Sequence, residues 1–236
     1  MATTDLPDAD ELPQGEEKAA AVRAMFDSIA PRYDLVNRIM TFRLDVGWRE
    51  RAISALDLGT RSVVVDLACG TGDMCRDLTD AGMRPIGVDV SFGMLAAART
   101  GAPLVHGDGL GLPFPDHSID GVTCGFALRN FVALEPLFAE LSRVLRPGGR
   151  ISLLDVAEPP NRLLKWGHSI YFGTVVPVIG GLLSDKAAYR YLPKSVAYLP
   201  EPAALRQLIV DAGFIDVERA LLTGGISQLY TGTRVR

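Results

Sequence analysis

The stretch that most constrains the fold is Val63-Val64-Val65-Asp66-Leu67, a β-branched run that passes within two residues into Gly70-Thr71-Gly72-Asp73. β-Branched side chains favour an extended backbone, and a run without polar alternation fits a strand covered on both faces. Gly-x-Gly then presents backbone N–H groups, unhindered by Cβ atoms, where a helix begins. Strand and helix go on alternating beyond it. Strand-like segments at 85–89, 104–106, 119–125 and 150–156 alternate with helical ones at 73–81, 91–99 and 134–145. Such alternation predicts an α/β fold, Rossmann-like, with a mostly parallel seven-stranded sheet and helices on both faces. The last two strands, 214–222 and 226–233, follow a helix at 202–212 and flank Thr223-Gly224-Gly225, which predicts an antiparallel hairpin.

Outside the alternation lie two additions. Residues 16–28, 35–40 and 48–56 read as N-terminal helices, the first ending before Pro31, while 1–15 is acidic and reads as a disordered tail. Residues 159–199 carry Trp166, Tyr171, Phe172, Tyr189, Tyr191 and Tyr198 and read as an inserted cap. A chain of 236 residues with 48% hydrophobic and 22% charged side chains needs one core. The domain is therefore expected to span 16–236, with its N-terminal helices over 16–57.

Several function classes are disfavoured. A net charge of −4 offers no broad cationic face, so no nucleic-acid partner is expected. Cys69, Cys75 and Cys124 are odd in number and lack metal-ligand spacing, so they read as free thiols in a reducing compartment, with no metal. The tail lacks the basic start and apolar run of a signal peptide. The longest apolar stretch, 170–183, contains Pro177 and is shorter than the roughly 20 residues of a bilayer span. A cytoplasmic protein, at most peripheral to the inner face of the membrane, is expected.

The chemistry concentrates at strand ends. Asp66, Gly70, Thr71 and Gly72 form a turn that suits a nucleotide cofactor, although a plain tight turn has the same signature. The third glycine of the dinucleotide pattern is missing, so an amine and carboxylate ligand fits better than a pyrophosphate. Asp89 ends the second strand 19 residues after Gly70, where a carboxylate can accept ribose hydroxyl protons or cap the next helix. Asp108, beside Gly109, can accept protons from an adenine amine or stand as a solvated loop acid. The glycines of Leu145-Arg146-Pro147-Gly148-Gly149-Arg150 read as a helix stop and turn.

Asp66-Leu67-Ala68-Cys69-Gly70-Thr71-Gly72-Asp73, Leu112-Pro113-Phe114 and Arg143-Val144-Leu145-Arg146-Pro147-Gly148-Gly149 resemble class I S-adenosylmethionine-dependent methyltransferases. Tyr33-Asp34-Leu35-Val36-Asn37 with Trp48, Phe126-Ala127-Leu128-Arg129-Asn130, Tyr189-Arg190-Tyr191-Leu192-Pro193-Lys194-Ser195 and Leu222-Thr223-Gly224-Gly225-Ile226 are more specific. Together they resemble the ubiquinone/menaquinone biosynthesis C-methyltransferases from about residue 17 to 233. The resemblance implies methyl transfer from S-adenosyl-L-methionine to a ring carbon of a polyprenyl quinol, with demethylmenaquinol the foremost acceptor. It assigns cofactor contacts to Thr71, Asp89 and Asp108-Gly109, with Tyr33 near the methionyl end. Gly125 stands where serine is usual, which leaves a backbone contact. Asp45, Asp155-Val156-Ala157, Lys194 and Tyr230 also depart from the family pattern.

Carbon methylation requires an activated phenol, which gives Arg129 a role in stabilising the phenolate or orienting a water, with Asn130 fixing it. A structural arginine paired with a nearby acid is the competing reading. Asp155 is expected to touch the acceptor site, His168 is a weaker base candidate, and the cap is expected to receive the quinol unless it is ordinary core. Transient membrane-surface contact and a homodimer are the expected associations. Methylation of a ubiquinone-type benzoquinol, or of another small aromatic or polyketide metabolite, and a noncatalytic cofactor-binding scaffold are the alternatives.

Overall fold

The computed structural model describes residues 14–176 and 195–235. Tyr189, Tyr191 and Lys194, the middle of the expected cap and residues 1–13 of the expected tail lie outside the described residues.

Seven strands form one sheet: β1 (Val63–Leu67), β2 (Arg84–Asp89), β3 (Leu104–His106), β4 (Ile119–Gly125), β5 (Leu145–Val156), β6 (Phe214–Leu222) and β7 (Ser227–Arg234). Their order is β3-β2-β1-β4-β5-β7-β6. The first five run parallel to one another, and β7 runs antiparallel between β5 and β6, as the hairpin pattern required. Strand order reverses between β1 and β4, and in open sheets of this kind ligands collect at the carboxyl ends beside that reversal.

Period-two geometry explains why the valine run sits where it does. Val64 packs on one face with Trp48, Leu56 and Leu78, whereas Val65 packs on the other with Phe138, Leu141 and Ile209. The first face is covered by α3 (Leu44–Ala55) and α4 (Asp73–Asp80), the second by α6 (Leu134–Val144) and α8 (Pro202–Asp211). A third cluster, including Met25, Ile29, Val36, Met40 and Met94, seats α1 (Gly15–Ile29) and α2 (Tyr33–Met40) against α5 (Phe92–Ala97).

Two segments differ from the sequence pattern. β5 starts at Leu145, five residues early, because Leu145 pairs with Ile119 before the register jumps to Gly121 and Arg150. The expected turn is thus a bulge within a strand, with Gly148 at φ +81°. Within the expected cap, α7 (Arg162–Ile170) is a helix whose N-cap, Asn161, accepts the N–H groups of Leu163 and Leu164 through its side chain.

Candidate functional site

Beyond β1 the backbone enters the left-handed region at Ala68, Gly70 and Gly72. The two glycines answer different demands. A Cβ on Gly72 would lie 2.7 Å from Thr100 Cγ2, so packing excludes it; a Cβ on Gly70 would meet nothing within 4 Å and would project into open space. Gly70 therefore keeps a cradle clear.

Asp89 holds that cradle in shape. Its Oδ2 accepts the Gly70 N–H at 2.8 Å and its Oδ1 accepts the Ser91 N–H at 2.8 Å. Ser91, not Asp89, caps α5, accepting the Met94 N–H at 3.1 Å. Burial raises the Asp89 pKa, and the N–H groups of Ser91 and Gly70 pull it back.

Asp66, at the adjacent strand end, is buried. Thr123 Oγ1 donates to it at 3.1 Å and Cys75 Sγ at 3.3 Å, and burial pushes its carboxyl up to about 7. Neutral donors only partly replace lost hydration, so the ionised form gains from a cationic ligand. Thr71 Oγ1 donates to Asp34 Oδ1 at 2.5 Å, which joins the turn to α2. Burial likewise raises the Tyr33 phenol.

Two cavities open at these strand ends. The larger, about 450 Å³, is bordered by Asp66, Gly70, Thr71 and Asp73 on the sheet side, by Trp48, Met74 and Arg129 in its wall, and by Phe42, Leu163, Leu164, His168 and Tyr171 on the outside. The smaller, about 110 Å³, is lined by Asp89, Val90, Asp108, Gly109, Asn130 and Phe131, with Ala19, Val22 and Arg23 of α1 alongside. Phe26, Tyr33, Ala68, Gly70, Gly125 and Phe126 border both. Asp108 is exposed and accepts the Leu110 N–H at 3.0 Å. A Cβ on Gly109 would lie 2.7 Å from the Phe131 ring, whereas one on Gly125 would touch only Met74, at 3.5 Å.

Lys18 anchors α1 beside the smaller cavity. Its ammonium donates to the Phe131 carbonyl at 2.7 Å and lies 3.7 Å from the Tyr198 ring centroid, and burial lowers its pKa to about 8.

Arg129 sits in a 3-10 turn, Leu128–Asn130, directly after β4. It is buried, with Nη1 donating to Asp155 Oδ1 and to the Phe126 carbonyl (2.7 Å), and Nε donating to Ser195 Oγ (3.0 Å). Its backbone N–H also reaches Asp155 Oδ2 at 3.3 Å. The three residues expected to act together are thus distributed: Arg129 borders the larger cavity, Asn130 the smaller, and Asp155 neither, although it engages Arg129.

Three residues singled out by the family resemblance have structural partners rather than ligand roles that spacing could reveal. Trp48 Nε1 donates to Thr223 Oγ1 at 2.8 Å, tying α3 to the hairpin turn. Asp45 is buried, accepting from Thr41 and Arg49 at 2.5 Å each, and faces the larger cavity. Tyr230, another departure from the family pattern, lines neither cavity; its hydroxyl donates to the Pro202 carbonyl at 3.4 Å. Among the described residues, no His, Cys, Asp and Glu cluster could hold a metal ion.

A family model described as the ubiE/COQ5 methyltransferase family matches residues 14–234. The chain belongs to that family. A Thermus thermophilus relative named demethylmenaquinone methyltransferase is 42% identical over 221 residues, covering 89% of this chain and all of that one. A Geobacter sulfurreducens relative named ubiquinone/menaquinone biosynthesis C-methyltransferase is 39% identical, covering 92% of this chain and 90% of its own. Among solved structures, an S-adenosylmethionine-dependent methyltransferase from Thermotoga maritima superposes with a TM-score of 0.64 at 17% identity, covering 90% of this chain and 99% of that one. At that identity the likeness speaks for the fold: the ubiE/COQ5 chain has the sheet of the class I methyltransferases.

Proposed function

We propose that this methyltransferase acts in menaquinone biosynthesis, moving a methyl group from S-adenosylmethionine to a ring carbon of demethylmenaquinol. The observation that carries this reading is the junction of a glycine cradle, clamped by a buried carboxylate, with a larger chamber that has a buried arginine in its wall. The curated names of the relatives agree with it.

The cradle fits the donor on two counts. Space is open in front of Gly70, and the carboxylates of Asp66 and Asp89 are held by neutral donors, which suits an amino acid end with an ammonium and a sulfonium. When bound, S-adenosylmethionine supplies the electrophilic methyl group. We assign Asp89 to the ribose hydroxyls, Asp108-Gly109 to the adenine, Thr71, Gly72 and Tyr33 to the methionyl end, and Gly125 to a backbone contact.

The acceptor occupies the larger chamber. A phenol ionises near pH 10 in water, so its ring carbon is a weak nucleophile at neutral pH. Arg129 brings a buried cation to the chamber wall and lowers that threshold, and the hydroxyl proton leaves to solvent. Asp155 positions Arg129, and Asn130 fixes the same turn from the other cavity. Transfer would join the methyl group to the ring carbon as its bond to sulfur breaks and S-adenosylhomocysteine is left, and the displaced ring proton would pass, like the hydroxyl proton, to solvent.

The test is to incubate the purified chain with methyl-labelled donor and a short-chain demethylmenaquinol. Product heavier by one labelled methyl group is expected. A benzoquinol methylated in its place would replace the naphthoquinol reading, and turnover undiminished in Arg129→Ala with donor binding intact would remove Arg129 from the chemistry.

A further inference from the structure

The outer wall of the larger chamber has a second face. On α7, Leu164 and His168 border the chamber, as does Tyr171 just beyond it; Leu163, at the chamber's outer edge, stands exposed together with Trp166 and Ile170. On α2 and the turn after it, Val36 and Met40 are buried, while Leu35, Ile39 and Phe42 stand exposed. These six range from 40% to 74% exposed. Tyr171 joins the two segments: its hydroxyl donates to the Met40 carbonyl at 2.7 Å, and its ring lies 5.8 Å from that of Phe42. Solvated monomers seldom display large apolar side chains in such concentration.

The charge on this face has one sign. Arg38, Arg43 and Arg162 are exposed. Asp34 of α2 and Asp45 at the start of α3 are engaged inward by Thr71 and by Thr41 and Arg49. α7 contains no acid, and its Lys165 is matched by Glu158 at 2.5 Å. A cationic, apolar face on a chain of net charge −4 is complementary to one kind of surface.

We infer that this face docks on a bilayer rich in anionic phospholipid, with Phe42, Leu163 and Trp166 entering the headgroup region and the arginines pairing with phosphates. The inference rests on the quinol reading for its purpose: a polyprenyl tail resides in the bilayer, and the docked face surrounds the mouth of the acceptor chamber. None of the described helices is long and apolar enough to cross a membrane, so the contact is peripheral.

The experiment mixes the full chain with phosphatidylcholine vesicles, with or without phosphatidylglycerol. Of the two tryptophans, Trp48 is 8% exposed and Trp166 65% exposed, so a blue shift in emission on docking reports Trp166. Co-sedimentation and a blue shift with phosphatidylglycerol vesicles are expected, and Trp166→Phe should co-sediment without the larger part of the shift. Arg43→Glu and Arg162→Glu should each lower partitioning by roughly fivefold or more, and Ile39→Ser with Ile170→Ser should lower it further. All four substitutions lie outside both cavities and should leave turnover of a water-soluble short-chain acceptor unchanged. A chain that stays in the supernatant with unshifted emission, or partitions equally into uncharged vesicles, overturns the inference. So does a solution dimer that Trp166→Ser dissociates, since the face would then belong to a second copy. Vesicle binding without methylation of any quinol would refute the quinol reading and leave the docking face standing.

Discussion

Around Gly70 the polar atoms are tied to named partners, whereas around Phe42 and Leu163 the protein presents apolar side chains to solvent. The cradle is fixed by backbone geometry and by the carboxylates of Asp66 and Asp89, each engaged by two donors. The outer rim is set where Tyr171, just beyond α7, reaches the end of α2, its hydroxyl donating to the Met40 carbonyl and its ring lying beside Phe42. A donor whose polar atoms never vary suits a rigid mould. An acceptor with a long apolar tail suits a yielding, greasy border. The contrast predicts that substitutions near the strand ends will cost stability or donor affinity, and that substitutions at the rim will cost neither.

The sharpest test is Arg129. Removing it strands the buried Asp155 carboxylate, so Arg129→Ala should lose about 3–5 kcal/mol of stability by urea unfolding. Arg129→Leu combined with Asp155→Leu should recover most of that stability while remaining inactive. A double variant that stays unstable would show that the pair contributes more than mutual neutralisation.

Next comes Asp89→Ala, which removes both the clamp on Gly70 and the acceptor proposed for the ribose. At about 1.5–3 kcal/mol for each charge-assisted hydrogen bond, donor affinity by calorimetry should fall by roughly a hundredfold or more. Comparable affinity in the variant would break the assignment of the cradle.

Gly72→Ala should destabilise by about 1–3 kcal/mol, combining left-handed strain with the close approach to Thr100. Gly70→Ala bears the strain without the collision, so its melting point should fall less while donor affinity falls more. Equal melting points would erase the distinction between the two glycines.

A gentler effect concerns pH. Asp66 titrates near 7 in the folded chain, where burial raises it, and near 3.9 when unfolded. The folded state therefore holds the extra proton between those values, and its stability falls as pH rises from about 4 to about 7. A cationic donor favours the ionised carboxylate, so donor affinity should climb over the approach to pH 7 and flatten above it. Asp66→Asn should abolish that slope in calorimetric titrations. The smallest expected change is at the rim: Phe42→Ser should shift stability by less than about 0.5 kcal/mol and should show itself as a higher KM for a long-tailed acceptor.

The same contrast explains which features are legible in the amino-acid sequence. Val63-Val64-Val65 and Gly70-x-Gly72 announce themselves because strand burial and positive φ are local requirements, met by few residue types. The sheet and its closing hairpin follow from that local grammar. The bulge at Pro147-Gly148 is obscured because Gly and Pro signal a turn equally well inside a strand and outside it. The clamp from Asp89 to Gly70 is hidden for another reason: it joins neighbouring strands, and nothing in the spacing separates a carboxylate that shapes the turn from one that receives a ligand. The rim is the least legible part, since Phe42 and Leu163 are 121 positions apart and come to border one cavity only through the tertiary fold.

The wall shared by the two cavities has a thermodynamic corollary. Tyr33 and Phe126 face both chambers, so the occupant of one sets the positions that the other encounters. Heterotropic linkage is symmetric: if bound donor tightens the hold on the acceptor by some factor, bound acceptor must tighten the hold on the donor equally. A mutation in this partition registers as an altered cooperativity constant, whichever ligand is titrated first.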